Sequence, residues 1–173
     1  MQFKEQTINK NHLYKGKILS LRKDDVVLPN GQPAIREVVE HSGGSAIYCE
    51  NDGKILLVKQ YRYPYEKEIW EIPAGKVNSG ENPEQTAIRE LEEEGGVIAE
   101  RVEKMFDIYP TPAYTNEIIR IYRAIGLKKS KQNLDDDEFL QSKWIEKEQV
   151  VKMIYDGEIN DSKTIIAVLS SMK

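Results

Sequence analysis

Short apolar runs, separated by charged residues and turn signals, occupy much of the first 42 positions of the chain. The runs at residues 18–21, 26–28 and 35–39 are of strand type, and the Pro-Asn-Gly sequence at 29–31 is a strong turn signal. The pattern predicts a small antiparallel β arm over residues 1–42.

Residues 43–173 have the pattern of one mixed domain, in which strand-like apolar runs are interspersed with helical periodicity. The predicted strands are residues 46–49, 54–61, 69–72, 102–108, 118–124 and 139–145, and the predicted helices are 83–94, 148–155 and 162–172. Because helices are expected on each side of a sheet, this order of elements predicts an α/β or α+β sandwich.

The clearest helix signal begins at Asn82, a residue type that caps helix N-termini. Pro83 suits the first helical position, and Gln85 can complete a capping box with the Asn82 main chain. The helix is predicted to stop at Gly95 and Gly96, because glycine tolerates the left-handed conformation of a C-cap.

Composition restricts the classes of partner. The chain has 173 residues, 39% hydrophobic and 31% charged, as expected for a folded protein. Its net charge of −4 gives no basic excess, so neither nucleic acid nor an anionic membrane is an expected partner. The single cysteine, Cys49, excludes an intramolecular disulfide. Since there is no apolar signal sequence and no apolar stretch of membrane-spanning length, we expect a cytoplasmic protein.

Three glutamates on the predicted helix suggest chemistry. At about 100° per residue, Glu90, Glu93 and Glu94 share one side of the helix near its C-terminus, where they repel one another and oppose the helix dipole. A divalent cation among the carboxylates would make the arrangement favourable, and oxygen-only ligands suit Mg²⁺, with Mn²⁺ as a substitute. The alternative is a solvated acidic helix face. Arg89 is expected to point away from the three acids and to pair with Glu81.

The spacing around these glutamates resembles the Nudix box, Gly-x5-Glu-x7-Arg-Glu-U-x-Glu-Glu-x-Gly-U, where U is aliphatic. All nine defined positions match: Gly75, Glu81, Arg89, Glu90, Leu91, Glu93, Glu94, Gly96 and Val97. So many fixed positions make this a specific motif, and the resemblance identifies a Nudix hydrolase with the α/β/α sandwich of that family built on a mixed sheet.

The resemblance implies roles for individual residues. Nudix proteins hydrolyse a nucleoside diphosphate linked to another group, and in the family pattern Glu90 and Glu94 hold metal, Glu93 assists, and the Ala74 carbonyl adds a ligand. The residues that support the box are Gly75, Glu81, Arg89 and Gly96.

Beyond the box, the whole chain resembles the ADP-ribose pyrophosphatase subfamily. The N-terminal arm and the runs at 58–62 and 71–75 look like that group, and Pro112 lies at its characteristic distance after the box, with Glu117 following. The resemblance implies hydrolysis of ADP-ribose to AMP and ribose 5-phosphate. Where the subfamily has Ser-Pro-Gly, this chain has Thr-Pro-Ala at 111–113, which keeps another nucleotide sugar, such as GDP-mannose, open as substrate. Pro112 alone is equally compatible with an ordinary turn.

Substrate contacts and a general base are expected outside the box. Family members carry an essential acid in a late loop, and Glu138 is the best match, with Asp137 second; a base there would orient or deprotonate the attacking water. The alternative is a solvated acidic loop. Arg36 and Arg62 are candidates for phosphate or ribose contacts, or for surface salt bridges.

The expected partners are a nucleoside diphosphate-linked small molecule and a second copy of the chain. The β arm cannot cover its own apolar face, and the subfamily resemblance implies an arm-exchanged homodimer. A non-catalytic ligand sensor is disfavoured because every box glutamate is present and no DNA-binding extension is visible. RNA decapping is disfavoured by the acidic net charge. The preferred base and sugar and the number of metal ions remain open.

Overall fold

The computed structural model describes residues 3–134 and 138–172, which group into two compact units. One unit contains the described residues up to Gly43 together with Tyr109–Ile118. The other contains Gly44–Ile108 and the described residues from Ile119 onward. The division into an arm over 1–42 and a domain over 43–173 therefore stays a prediction, since the segment at 109–118 groups with the N-terminal residues.

The first unit is built on a three-stranded antiparallel sheet in the order β1-β2-β3, with β1 at Gln6–Lys15, β2 at Leu19–Val27 and β3 at Pro33–His41. The two runs predicted at 18–21 and 26–28 form one strand, because Asp24 between them is buried and accepts hydrogen bonds from Arg22 Nε at 3.0 and 2.9 Å. Strand β1 was not among the predicted strands, because its polar sequence has no strand periodicity.

The second unit contains two four-stranded sheets. The first, in the order β8-β4-β10-β9, is mixed because β4 and β10 are parallel and the other pairs antiparallel. The second has the order β11-β6-β5, with β7 also paired to β6. The strands are β4 (Gly44–Tyr48), β5 (Glu50–Asn51), β6 (Lys54–Arg62), β7 (Lys67–Glu71), β8 (Ala74–Lys76), β9 (Val97–Ile108), β10 (Ile119–Lys129) and β11 (Leu140–Glu146).

Three α-helices complete the second unit: α1 (Pro83–Gly95), α2 (Lys147–Tyr155) and α3 (Ser162–Ser170). The predicted start of α1 is confirmed, because Asn82 Oδ1 accepts from Gln85 N at 2.8 Å and Gln85 Oε1 accepts from Asn82 N at 3.2 Å. Its predicted end is also confirmed, with Gly96 at φ 63° as the C-cap. No helix in the described residues is long and apolar enough to cross a membrane.

The core of the second unit lies on both sides of the strands, because successive strand residues point to opposite faces. Ile47 and Leu56 pack in the cluster that contains Ala87 and Leu91 of α1. Their neighbours Ala46 and Leu57 pack in the other cluster, with residues of α2 and α3. Helices therefore cover both faces, and the predicted α/β/α sandwich with a mixed sheet is confirmed.

Candidate active site

Two acidic residues of α1, Glu90 and Glu94, lie where the last turns of the helix meet β8. Glu90 and Glu94 are buried, with 6% and 2% of their surface exposed. The Ala74 N–H donates a hydrogen bond to Glu94 Oε2 at 2.9 Å. This contact joins the first residue of β8 to the helix and places Ala74 beside the two carboxylates.

Gly75 is required by the close approach of the Glu90 side chain. A Cβ added at this position would lie 1.8 Å from Glu90 Oε1, and the obstruction is a buried carboxylate between helix and strand. Any other residue at 75 would displace Glu90. The glycine that opens the sequence motif is thus explained by packing against the motif's own glutamate.

Both buried acids have pKa values raised well above the ordinary glutamate value. Burial raises the pKa of Glu94 to about 8; the Ala74 hydrogen bond opposes this rise, and the charges of Glu90 and Glu138 add to it. Burial likewise raises the pKa of Glu90 to about 7 against the opposing effect of Arg89. Because the Glu138 charge acts on both groups, the fold places this late-loop residue near the helix acids. The second predicted late-loop acid, Asp137, lies outside the described residues.

Arg89 contacts three glutamates. Its Nε donates to Glu81 Oε1 at 2.9 Å, which confirms the predicted pair. The expectation that Arg89 points away from the helix acids is wrong, since Nη1 lies 2.7 Å from Glu93 Oε2 and 2.8 Å from Glu90 Oε1. The contact with Glu93 is the ordinary i,i+4 pair of a helix, and the same Nη1 also reaches the adjacent Glu90 carboxylate.

The donor set fits a hard divalent cation in its chemistry. The pKa values of the two buried carboxylates are raised because too little positive charge lies around them to offset burial. The atoms there that could bind a metal ion are all oxygen. Among the described residues, no group of three or more Asp, Glu, His or Cys side chains is arranged so that it could hold a metal ion. Arg89 instead holds the Glu90 and Glu93 carboxylates that a cation would use.

Arg62 is held by a buried glutamate in the same unit. Its Nε and Nη2 donate to Glu71 Oε1 and Oε2 at 2.6 and 2.7 Å, and 39% of its side chain stays exposed. Arg62 therefore makes a salt bridge, but with a buried partner and not one at the surface as predicted, and its contact with phosphate or ribose stays a prediction. The charge of Glu94 also acts on the Arg62 guanidinium, so Arg62 lies within electrostatic reach of this helix acid.

The other predicted substrate residues belong to the first unit. Arg36 donates from Nε to Glu5 Oε2 at 2.9 Å and from Nη1 to Ile35 O at 2.9 Å. Glu117 Oε1 lies 3.3 Å from His41 Nδ1, and Pro112 lies in the same 109–118 segment. Arg36 and Glu117 thus have partners within the first unit, and the contacts of all three residues with substrate stay predictions.

An open cleft of about 470 Å³ in the second unit contains Glu138. Its lining combines charged and aromatic side chains, among them Lys59, Tyr61 and Phe139. A larger cavity of about 550 Å³ lies at the C-terminal end of α1, against Gln132 and Trp144. The helix acids Glu90, Glu93 and Glu94 line neither space, and the smaller cleft is connected to the predicted chemistry only through Glu138.

Sequence reasoning missed the segment that caps the C-terminal end of α1. Gln132 Nε2 donates to Glu94 O at 2.7 Å, and the main-chain N–H of Asn133 donates to Glu93 O at 3.0 Å. Ser130 Oγ donates to Glu92 Oε1 at 2.7 Å. Nothing in the spacing of these polar residues relates them to a helix more than 30 positions earlier.

Two family models match the chain. The NUDIX domain model matches residues 39–167, and the model of the nucleoside diphosphate sugar hydrolase N-terminal domain matches residues 5–39. The first match alone covers well over half of the chain and includes α1 with all of its acids.

Named relatives match almost the full length. A methanol dehydrogenase activator of Bacillus methanolicus is 44% identical over 169 residues, which cover 96% of this chain and 91% of the relative. An ADP-ribose pyrophosphatase of Bacillus subtilis (strain 168) is 41% identical over 167 residues, 95% and 90% of the two chains. A solved structure described as an ADP compounds hydrolase superposes with a TM-score of 0.84 at 20% identity and covers 96% and 91% of the two chains, which establishes the shared fold.

Proposed function

The chain belongs to the Nudix family of hydrolases, and we propose that it hydrolyses ADP-ribose to AMP and ribose 5-phosphate. Water adds to one phosphorus of the pyrophosphate and the bridging P–O bond breaks. The observation that carries the proposal is the buried acid pair of α1 with Glu138 nearby, in a chain 41% identical to a named ADP-ribose pyrophosphatase.

The proposed metal is Mg²⁺, with Mn²⁺ as a substitute. Glu90 and Glu94 would hold it, with Glu93 and the Ala74 carbonyl as further ligands, and oxygen donors of this kind favour Mg²⁺ over softer metals. When bound, such an ion neutralises pyrophosphate charge and makes water more acidic. The carboxylates themselves need that charge, because burial without a cation raises their pKa values to about 7 and 8.

Glu138 is the proposed base, and it orients or deprotonates the attacking water. Support comes from its position, since its charge acts on both Glu90 and Glu94. We expect Glu138→Gln to lower kcat strongly while KM for ADP-ribose changes little, because a base acts on water rather than on substrate binding. Asp137→Asn is the comparison variant, and a larger loss of kcat there would assign the base to Asp137.

Phosphate binding is assigned to Arg62 in the second unit, because a guanidinium near the helix acids suits a bidentate contact to phosphate. Arg36, Pro112 and Glu117 of the first unit are proposed as further substrate contacts, on the strength of the subfamily pattern. The family-model match over residues 5–39 supports a role for this region in handling nucleoside diphosphate sugars.

A homodimer is the proposed assembly. All ten residues of β1 are exposed, and the first unit exposes large apolar side chains at Ile8, Leu13 and Ile35. Exposed apolar residues grouped on a small sheet are typical of an interface. A second copy of the chain is the proposed occupant, with the arms exchanged.

The deciding experiment is a substrate panel of ADP-ribose, GDP-mannose, ADP-glucose, NADH and diadenosine polyphosphates. Phosphate release is measured in Mg²⁺ with a coupled phosphatase, and Glu94→Gln serves as the inactive control. A clear preference for ADP-ribose is expected. Silence across the panel would overturn the hydrolase proposal and favour a ligand sensor.

A second candidate function is hydrolysis of another nucleoside diphosphate sugar such as GDP-mannose. It is favoured by Ala113 in place of the subfamily glycine and by the match to the nucleoside diphosphate sugar hydrolase N-terminal domain. Activity led by GDP-mannose in the same panel would select this alternative, with the same metal and base.

A further inference from the structure

A buried charged pair joins the first turn of α3 to the end of β7. Glu71 is 2% exposed and Lys163 is 7% exposed, and Lys163 Nζ donates to Glu71 Oε2. Lys163 Nζ also donates to Asp161 Oδ1 at 2.9 Å. This cluster lies in the second unit and is separate from the helix acids of the Nudix box.

The cluster is specified by several contacts. Asp161 caps α3, because its Oδ2 accepts from Thr164 N at 3.0 Å and from Thr164 Oγ1 at 2.6 Å. Thr164 Oγ1 in turn accepts from Ile72 N at 2.8 Å. Buried charges are costly unless they are paired and hydrogen-bonded, so an arrangement that satisfies each of them restricts the strand and the helix to one geometry.

Arg62 lies at the exposed side of this cluster and contacts Glu71. Glu71 binds Nε and Nη2 of Arg62 through its two oxygens, in the side-on geometry that fixes the plane of a guanidinium. The pair leaves the Nη1 side of the group outside it, and 39% of the Arg62 side chain is exposed. The buried Glu71 carboxylate thus fixes the Nε and Nη2 edge of the Arg62 guanidinium. The charge of Glu94 also acts on this guanidinium.

We propose that Lys163 is a positioning residue for phosphate binding: by fixing the Glu71 carboxylate, it holds Arg62 in the orientation that receives the pyrophosphate of the substrate. This inference rests on the proposed function, since it assigns Arg62 to a phosphate. Lys163 itself touches neither substrate nor reacting atoms. Without Lys163, Glu71 keeps Arg62 as a partner but loses its attachment to α3, so Arg62 samples more orientations and binds phosphate less often.

Lys163→Met is the principal variant, because methionine retains the length of the buried stem without the charge. We expect KM for ADP-ribose to rise about tenfold while kcat falls much less, since a group that binds the substrate in ground and transition states alike acts on KM. Lys163→Arg retains the positive charge and is expected to recover much of the lost affinity.

The matched control is Lys147→Met. Lys147 also joins the first turn of a helix to a strand glutamate, with Nζ 3.0 Å from Glu50 Oε2, but neither residue lies near Arg62. Both variants are expected to lower the melting temperature, and only Lys163→Met is expected to change KM. Equal KM values for the two variants would reduce Lys163 to a structural residue and overturn the inference.

A double-variant cycle tests the route of the effect. If Lys163 acts through Glu71, then Lys163→Met has no further effect on KM once Glu71→Gln is present. The same variant has no further effect once Arg62→Ala is present. Additive effects in either background contradict the inference, and Glu71→Gln decides the question alone if Lys163→Met does not fold, since unchanged KM in Glu71→Gln also overturns it.

Failure of this inference is distinguishable from failure of the proposed function. A wild-type protein with no activity on the substrate panel removes the function. An active wild type whose KM is indifferent to Lys163 and Glu71 removes only the positioning role. Melting temperatures without substrate report on folding independently of turnover.

Discussion

Two glutamates with the same exposure have opposite protonation behaviour, and the difference lies in their neighbours. Glu71 and Glu94 are each 2% exposed. Burial raises the pKa of both, but in Glu71 the Arg62 hydrogen bonds and the Lys163 charge outweigh burial and hold the pKa at about 2. At Glu94 the hydrogen bond from the Ala74 N–H does not offset burial and the neighbouring like charges, and the pKa is about 8. The neighbouring charges therefore keep Glu71 ionised within an ion-pair cluster, whereas the environment of Glu94 suits its proposed role as a ligand for a cation.

Glu71→Gln is expected to destabilise the protein in a pH-dependent manner. A folded-state pKa of about 2, below the ordinary value of 4.5, adds stability above pH 4.5 that is lost as the pH falls toward 2. At pH 7 the variant should lose roughly 3 kcal/mol of unfolding free energy, and the difference from wild type should shrink toward pH 3. Urea denaturation at both pH values measures this. The exposed Glu158→Gln is the control, and a gap between wild type and Glu71→Gln that is constant with pH would contradict the assignment.

Glu94→Gln is expected to reduce kcat by about two orders of magnitude or more, because a neutral amide is a poor ligand for a hard cation. The fold should persist, since the substitution is isosteric and removes repulsion from Glu90. Glu92→Gln makes the same charge change two positions away, where Ser130 donates to the side-chain oxygen, and should leave kcat nearly unchanged. Near-normal turnover in Glu94→Gln would remove the metal assignment.

At the scale of elements, the two ends of α1 are capped by hydrogen bonds from different parts of the chain. The N-terminal capping box comes from residues three apart in the sequence, so local pattern predicts it. The C-terminal end carries acids that oppose the helix dipole, and its carbonyls are satisfied by the distant segment at 130–133. Gly96 allows this approach, because a Cβ there would lie 3.2 Å from Gln132 N and its φ is positive.

Gln132→Ala is expected to lower the free energy of unfolding by about 1 kcal/mol, since it leaves the Glu94 carbonyl without its donor. It should also reduce kcat, because Glu94 lies on the turn that loses its cap. The matched control is Asn133→Ala, since Asn133 caps Glu93 through its main-chain N–H, which alanine retains. Chemical denaturation and steady-state kinetics compare the two, and equal behaviour would contradict a capping role for the Gln132 side chain.

At the scale of the whole molecule, the candidate residues divide between the two compact units. Glu90, Glu94, Arg62 and Glu138 lie in the second unit, and Arg36, Pro112 and Glu117 lie in the first. The first unit also has a ten-residue strand with every residue exposed. A protein that exposes apolar side chains on such a strand is expected to form a homodimer, and variants of that strand can test this.

Wild-type protein is expected to have about twice the monomer mass of 19.9 kDa in light scattering after size exclusion. Ile8→Glu should shift it toward the monomer, because a charge on an interface strand is desolvated without a partner. Ile98→Glu, at an exposed apolar position of the second unit, is the control and should leave the mass unchanged. A monomeric wild type at micromolar concentration would contradict the proposed homodimer.

Sequence patterns predicted the elements whose cause is local. The helix α1, with its Asn82 cap and Gly96 end, follows from residues a few positions apart. Most core strands follow from short apolar runs. Strand β1 escaped prediction, because its ten exposed residues need only main-chain pairing with β2 and no apolar periodicity. The short strand β8 escaped as well, since three residues are too few to show a pattern.

By itself the sequence determined the family and predicted a divalent-metal role for the acids of α1, because both depend on residue types at fixed spacing. Tertiary structure alone decided that Glu94 is buried beside Ala74, that Arg89 binds Glu90 and Glu93, and that Lys163 and Glu71 lie behind Arg62. Those contacts join residues up to about 90 positions apart. Burial and pKa depend on such neighbours, and no local pattern in the chain encodes them.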